Sequence, residues 1–326
     1  MKTFDLLKSL CDNVCIGHIN TLPLPAEAKK IGNSYSLFIE GESEYTVCVE
    51  AHIDEIGFIV TAVDERGFLR VATVGGIDLR TLPSHRVLVH GRETVPGVFT
   101  SIPPHLTKGE PEFDDIKKLS VDTFLGEKAG DVISVGDYVS FYSPLTSLAG
   151  SRVCGKSLDD RAGVCVLLSL FERFKEKKPP VSLKLLFCSE EELGMRGAKT
   201  AAFSEDCDEA IALDVSFATA PSVSPEEAGK LGGGAMIGIS PILNSKIYKK
   251  LVSLAESENI PYQSEVMGGR TGTDADAISI SRSGVPTALV SIPQRNMHTF
   301  AEVVDLKDIE ATTDLLYTYI MGGGAK

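Results

Sequence analysis

No stretch of this chain approaches 18 consecutive apolar residues, so there is no transmembrane helix to place. The first eight residues, Met-Lys-Thr-Phe-Asp-Leu-Leu-Lys, lack the apolar core of a signal peptide and carry an acid at Asp5. Basic charge is scarce. Lys and Arg number 32 against 45 Asp and Glu, a formal charge of −13, and no basic run exceeds a doublet such as Lys177-Lys178. The overall field of such a chain does not draw it to DNA, RNA or an anionic membrane. A disulfide framework is missing too. The seven cysteines are odd in number and scattered, most of them in apolar runs where reduced Cys acts as a small hydrophobe. Cys11 and Cys15 stand four apart, but no second Cys pair or His cluster beside them completes a metal or redox motif. These absences point to a cytoplasmic protein with neither nucleic acid nor membrane as partner.

What is present is ordinary material for a folded protein: 43% hydrophobic and 24% charged residues. The length of 326 residues corresponds to roughly two domains. Lys2 to Asn13 has helical apolar spacing with Thr3 as candidate cap. Tyr45–Ala51 and Gly57–Val63 read as strands. From Asp64 to Ser151 short β-prone pieces, among them Arg86–His90 and Asp137–Phe141, alternate with Gly, Pro and Asp, the texture of a small β-rich, barrel-like module. After Val153 helices and strands alternate: a helix over Asp159–Lys175, strands at Val181–Cys188, Glu209–Leu213 and Thr287–Ile292, and helices at Ser245–Glu258, Asp274–Arg282 and Leu306–Met321. That alternation predicts an α/β sheet covered by helices on both faces. The expected division is a discontinuous α/β domain, residues 1–63 and 152–326, interrupted by a β-rich domain at 64–151. Gly322-Gly323-Gly324 reads as a frayed tail.

In α/β sheets, sites form at the carboxyl ends of strands. Several segment ends here carry unusual side chains: His52 and Asp54; Asp159 and Asp160 at a helix start; Glu190, Glu191 and Glu192 after Phe187-Cys188; Asp214 after Leu213; and His298 after the last strand. Taken singly, each has a plain structural reading as cap, turn or solvated loop. Together, two imidazoles and several carboxylates on separate segments suit zinc, cobalt or manganese. A pair of such cations needs a carboxylate that reaches both, and an acid beside them to take a proton from water. Adjacent Glu191 and Glu192 could divide those tasks. In an extended segment, Asp54 shares a side with His52 and can orient its second ring nitrogen.

At these residues the chain resembles the M42 family of metallopeptidases, which includes tetrahedral self-compartmentalising aminopeptidases and glutamyl aminopeptidases. The resemblance runs from about Val49 to Leu316. It rests on Ala51-His52-Ile53-Asp54-Glu55-Ile56-Gly57, Ser157-Leu158-Asp159-Asp160-Arg161-Ala162-Gly163, Glu191-Glu192-Leu193-Gly194-Met195-Arg196-Gly197-Ala198, Gly272-Thr273-Asp274-Ala275 and Pro293-Gln294-Arg295-Asn296-Met297-His298. It implies that His52 and Asp214 hold one divalent metal ion, zinc or cobalt, and Glu192 and His298 a second. Asp159 would bridge the two, with Asp160 the other choice, Glu191 would be the general base, and Asp54 would orient His52. It also implies peptide substrates with a free N-terminus. The inserted module would be a dimerisation domain and the assembly a homo-oligomer, as a dimer or a dodecamer of dimers. A deacylase on the same metal core, a carbohydrate-active enzyme and a non-catalytic binding protein are the competing readings. Arg270 and Arg295 are candidates to favour acidic N-terminal residues. The segment Cys15-Ile16-Gly17-His18 and the approach Gly269-Arg270-Thr271-Gly272 depart from the family pattern.

Overall fold

In the computed structural model, which describes residues 2–106, 115–221 and 223–326, the strand Thr46–His52 runs through the middle of an 11-stranded sheet. It pairs in parallel with Ser182–Cys188 on one side and Glu209–Phe217 on the other, and Glu209–Phe217 pairs in parallel with Thr287–Arg295. These parallel strands are buried almost throughout, as strands covered on both faces must be. Side chains alternate between two cores. Val47, Val49 and Ala51 face the larger core, built with the helices Thr3–Cys11, Leu158–Glu176, Ser245–Ser257 and Leu306–Met321. Cys48 faces the smaller one, under the helices Arg196–Ser204 and Asp274–Ser279. The expected α/β sheet with helices on both faces is therefore what forms.

The expected β-rich module is a closed barrel of six strands: Val121–Asp122, Leu69–Val74, Gly57–Val63, Tyr138–Phe141, Arg86–His90 and Thr94–Phe99. Its interior is filled by Phe58, Phe99 and Phe141, with ring centroids 4.9 and 5.4 Å apart around Phe58. The strand Gly57–Val63, placed before the module in sequence terms, is a barrel strand here, and Thr146–Ser147, placed inside it, pairs with Arg152–Gly155 in the large sheet. Alternating apolar runs do not say which sheet a strand joins. Residues 107–114 of the module lie outside the described residues.

Four local expectations are corrected. Thr3 is the first residue of its helix rather than the cap, and its hydroxyl donates to Glu310 at 2.8 Å. Asp214 does not follow its strand but lies within it, because the strand continues to Phe217. The helix beginning Asp274 ends at Ser279. The glycine tail is tied down: Glu209, buried at the sheet's far end, accepts from Tyr45 at 3.0 Å, Tyr319 at 2.8 Å and the Ala325 backbone N–H at 3.0 Å. A buried carboxylate needs such donors, and the tail supplies one.

The two halves of the chain are joined beside the sheet's carboxyl edge by a buried ionic cluster. Glu55 meets Lys156 Nζ at 2.6 Å and Arg161 Nη2 at 3.5 Å, accepts from the Cys15 backbone N–H at 3.0 Å, and also accepts from the Ser157 hydroxyl. Arg161 in turn donates to the Ile53 carbonyl. Burial pushes the Glu55 carboxyl up, but Lys156 and Arg161 overcome this and hold it below its usual value. Removing one partner of a buried pair leaves the other charge uncompensated, at a cost of about 3–5 kcal/mol. Chemical denaturation should show a loss of that order for Glu55→Gln, with part recovered in Glu55→Gln/Lys156→Met. Because the folded carboxyl is more acidic than the unfolded one, its contribution is complete above the unfolded value of about 4.3. It is lost as pH falls through the folded value. An undiminished stability in the single variant would remove the cluster's structural role.

Candidate metal centre

Each segment end named from the sequence reaches one carboxyl edge of the sheet. His52 is the last residue of its strand and is buried. Its Nε2 lies 2.9 Å from Asp159 Oδ1 and 4.0 Å from Asp214 Oδ1. On the other side of the same carboxylate, Asp159 Oδ2 lies 3.5 Å from His298 Nε2, which is 3.6 Å from Glu192 Oε1. His52, Asp159 and Asp214 thus form one cluster of potential ligands, and Asp159, Glu192 and His298 form another. Asp159 belongs to both, one oxygen toward each.

The helix Leu158–Glu176 explains how Asp159 is freed. Its residues Asp159 and Asp160 have non-helical backbone angles. Asp160 Oδ1 turns inward to accept the Gly163 backbone N–H at 2.8 Å, the work of a helix cap. Asp159 projects into the site instead, with its own N–H donated to Glu302 at 3.1 Å. The run of three glutamates divides in a similar way. Glu190 faces outward, 3.3 Å from Arg196 and accepting from Asn33 at 2.8 Å. Glu191 and Glu192 face the cleft.

Asp54 does more than its spacing suggested. It lies 3.5 Å from His52 Nδ1, and its two oxygens accept the backbone N–H groups of Glu191 at 3.0 Å and Glu192 at 3.2 Å. One carboxylate therefore sets the position of the loop bearing both glutamates. The sequence reading missed four further contributors. Arg161 and Glu55 hold the His52 and Asp159 segments together, and their adjacency to those residues was the available signal. At the barrel's edge, Gly75 and Gly76 close over the site. A Cβ on Gly75, whose φ is 78°, would stand 3.2 Å from Glu192 Oε2, and one on Gly76 would stand 3.0 Å from His298 Nδ1. Only residues without a side chain let the barrel approach so closely.

The electrostatics are those of a site built around positive charge. Burial and the carboxylates Asp274, Asp159 and Asp54 push Glu191 up to about 7, against the pull of His52. Burial and Asp159 push Glu192 up to about 8. The hydrogen bond to Asp159 raises His298 to about 9. Burial opposes ionisation of Asp159, yet the two imidazoles hold it well below the usual carboxylate range. Asp160, by contrast, is pushed up to about 8 by burial. Ligands about 2.1 Å from a tetrahedral cation lie ~3.4 Å apart, close to the spacings above. The donor set of two imidazoles and mutually repelling carboxylates fits divalent metal ions. Glu50, Cys188 and Asp274 form a further buried cluster, in which burial and the Asp274 carboxyl push Glu50 up. Cys11 and Cys15 are buried thiols pushed up to about 12 by burial, and no cluster of potential ligands among the described residues includes them.

The cleft over these groups has a volume of about 800 Å³. Neither Arg270 nor Arg295 lines it. Arg295 is exposed and donates to the Thr219 carbonyl at 2.6 Å. No helix of the described chain is long and apolar enough to cross a membrane.

Comparison with known proteins gives a consistent result. The M42 glutamyl aminopeptidase family model matches residues 32–315. The chain is 31% identical to the lysyl aminopeptidase of Pyrococcus furiosus over 319 residues, covering 95% of this chain and 87% of the relative. Among solved structures, the TET aminopeptidase of a marine-sediment Thaumarchaeota archaeon superposes with a TM-score of 0.91 at 28% identity, covering 98% of this chain and 96% of that one. The TET1 peptidase of Pyrococcus horikoshii, described as able to assemble into a tetrahedron or a large octahedral shell, gives 0.86 at 27% identity, with coverages of 98% and 99%.

Proposed function

This chain belongs to the M42 glutamyl aminopeptidase family, aminopeptidases that hydrolyse peptide bonds with divalent metal, and from that premise we propose a co-catalytic two-metal site in which Glu191 is the general base. The observation that carries the proposal is the placement of Asp159, with one carboxylate oxygen toward the His52–Asp214 cluster and the other toward Glu192–His298. His52 and Asp214 would hold one cation, Glu192 and His298 the other, and Asp159 would bridge them. Asp160 is already spent as a cap. Bound there, zinc or cobalt would supply Lewis acidity and make water acidic enough to deprotonate near neutral pH.

The chain's own residues do the rest. Glu191, held by Asp54 through its backbone N–H, accepts the proton of the attacking water. It returns that proton to the amine that leaves when the peptide C–N bond breaks. Asp54 positions Glu191, Glu192 and His52 together. The surplus of carboxylates around the cleft suits a substrate whose free α-amine is cationic.

We further propose a homo-oligomer assembled through the barrel, which supplies the exposed apolar side chains Phe124 and Val135. Mass measurement in solution tests this, and a monomer at micromolar concentration overturns it.

The decisive experiment is hydrolysis of aminoacyl-p-nitroanilides by the protein as isolated, after chelation, and after return of zinc or cobalt. Activity should vanish with chelator and return with metal. Failure to bind metal would end the site assignment. Two bound metals without hydrolysis of any free-amine substrate would favour a deacylase.

A further inference from the structure

The family label and the Pyrococcus furiosus relative name opposite side chains, glutamyl and lysyl, so family membership leaves the preferred N-terminal residue open. The walls of this chain's own cleft address it. Residues alternate faces along a strand, so Ser216 shares a face with Asp214, about 6.6 Å further along. On the neighbouring strand, Ser291 stands opposite Asp214 in register. Both serines donate to one carboxylate, that of Glu265: Ser291 Oγ to Oε2 at 2.7 Å, and Ser216 Oγ to Oε1. Glu265 comes from the strand Tyr262–Val266, which pairs with Ala235–Ile239. It lines the same cleft as Asp159, Glu191 and His298.

Among the described residues, Glu265 has no ionic partner. No Lys or Arg lines the cleft among the described residues, and none of the ion pairs among them includes this carboxylate. Met236, Met267 and Leu289 line the cleft near it, while Glu226 and Glu227 add negative charge where the cleft is exposed. A largely buried carboxylate in apolar surroundings is costly unless compensated. Two hydroxyls orient it without neutralising it. An acidic substrate side chain would bring a second negative charge to the same place, and a neutral one would leave the first unpaired. A lysine or arginine side chain answers both requirements. Its apolar stem would pack on the methionines and leucine, and its cationic head would meet Glu265 in a charge-assisted hydrogen bond.

We propose that Glu265 determines the specificity of the cleft, and that the protein acts preferentially on peptides beginning with lysine or arginine. The proposal rests on the aminopeptidase reading, and its test separates the two. With metal-loaded protein, kcat/KM is measured for lysyl, arginyl, norleucyl and glutamyl p-nitroanilides. Norleucine keeps lysine's stem and lacks its amine. The lysyl substrate should exceed the norleucyl one by about 10–100-fold, the usual return of a charge-assisted bond. Glu265→Gln should collapse that ratio toward unity. Equal rates for lysyl and norleucyl substrates, or a preference for glutamyl, overturn the specificity claim and leave the aminopeptidase reading intact. Calorimetric binding of free lysine and norleucine to the unmodified protein needs neither turnover nor a folded variant. If no substrate is hydrolysed, the aminopeptidase reading fails, and tighter binding of lysine would still assign the pocket. Equal binding of the two amino acids would overturn it.

Discussion

Glu191→Gln should lower kcat by about 10²–10⁴-fold, the usual loss when a positioned general base is removed, with metal content and fold unchanged. Gln preserves shape and removes the ability to accept a proton. The Glu191 backbone N–H remains held by Asp54 at 3.0 Å whichever side chain is present, so the loop and neighbouring Glu192 stay in place. Stopped assays of metal-loaded protein alongside elemental analysis measure both quantities. Near-normal turnover with metals bound would remove Glu191 from the role of base. Loss of metal along with activity would instead make it a ligand, an arrangement compatible with the proximity of Glu191, Glu192 and His52.

The second large effect separates two adjacent acids that composition cannot tell apart. Asp159→Ala should reduce bound metal at both positions at once and take activity to background, because one carboxylate faces both ligand clusters. Asp160→Asn should keep both metals, since this side chain bonds the Gly163 N–H and Asn also caps helices. His52→Ala and Asp214→Ala should each weaken one position more than the other. Metal titration by calorimetry distinguishes these patterns. Full occupancy in Asp159→Ala, or loss of both metals in Asp160→Asn, would reverse the assignment of the bridge.

The rest of the site was legible to different depths. His52, Glu192, Asp214 and His298 stood out because each lies at or near the end of an apolar run, and strand ends share an edge when strands are parallel, while Asp159 was marked by its place at a helix start. Asp214 was found for a partly mistaken reason. A carboxylate normally interrupts a buried strand, yet here the strand runs on to Phe217. Glu190 and Glu191 are neighbours of the same type, and only the loop's path sends one to Arg196 and the other to the cleft. Gly75 and Gly76 gave no signal, because closeness to Glu192 and His298 exists only once the barrel folds back on the sheet.

The class of fold, the β-rich insertion, the side-chain types gathered at the sheet edge and the family were legible in the amino-acid sequence. Those follow from local patterns: hydrophobic period, turn residues and short motifs whose chemistry is carried by residue type. Tertiary structure alone decided which carboxylate stands between the two clusters, which sheet Gly57–Val63 joins, how the glycine tail is held, and what lines the cleft. Ser216, Glu265 and Ser291 lie on three strands far apart in the chain. Their meeting is a matter of strand order and register, a long-range property that no local pattern encodes.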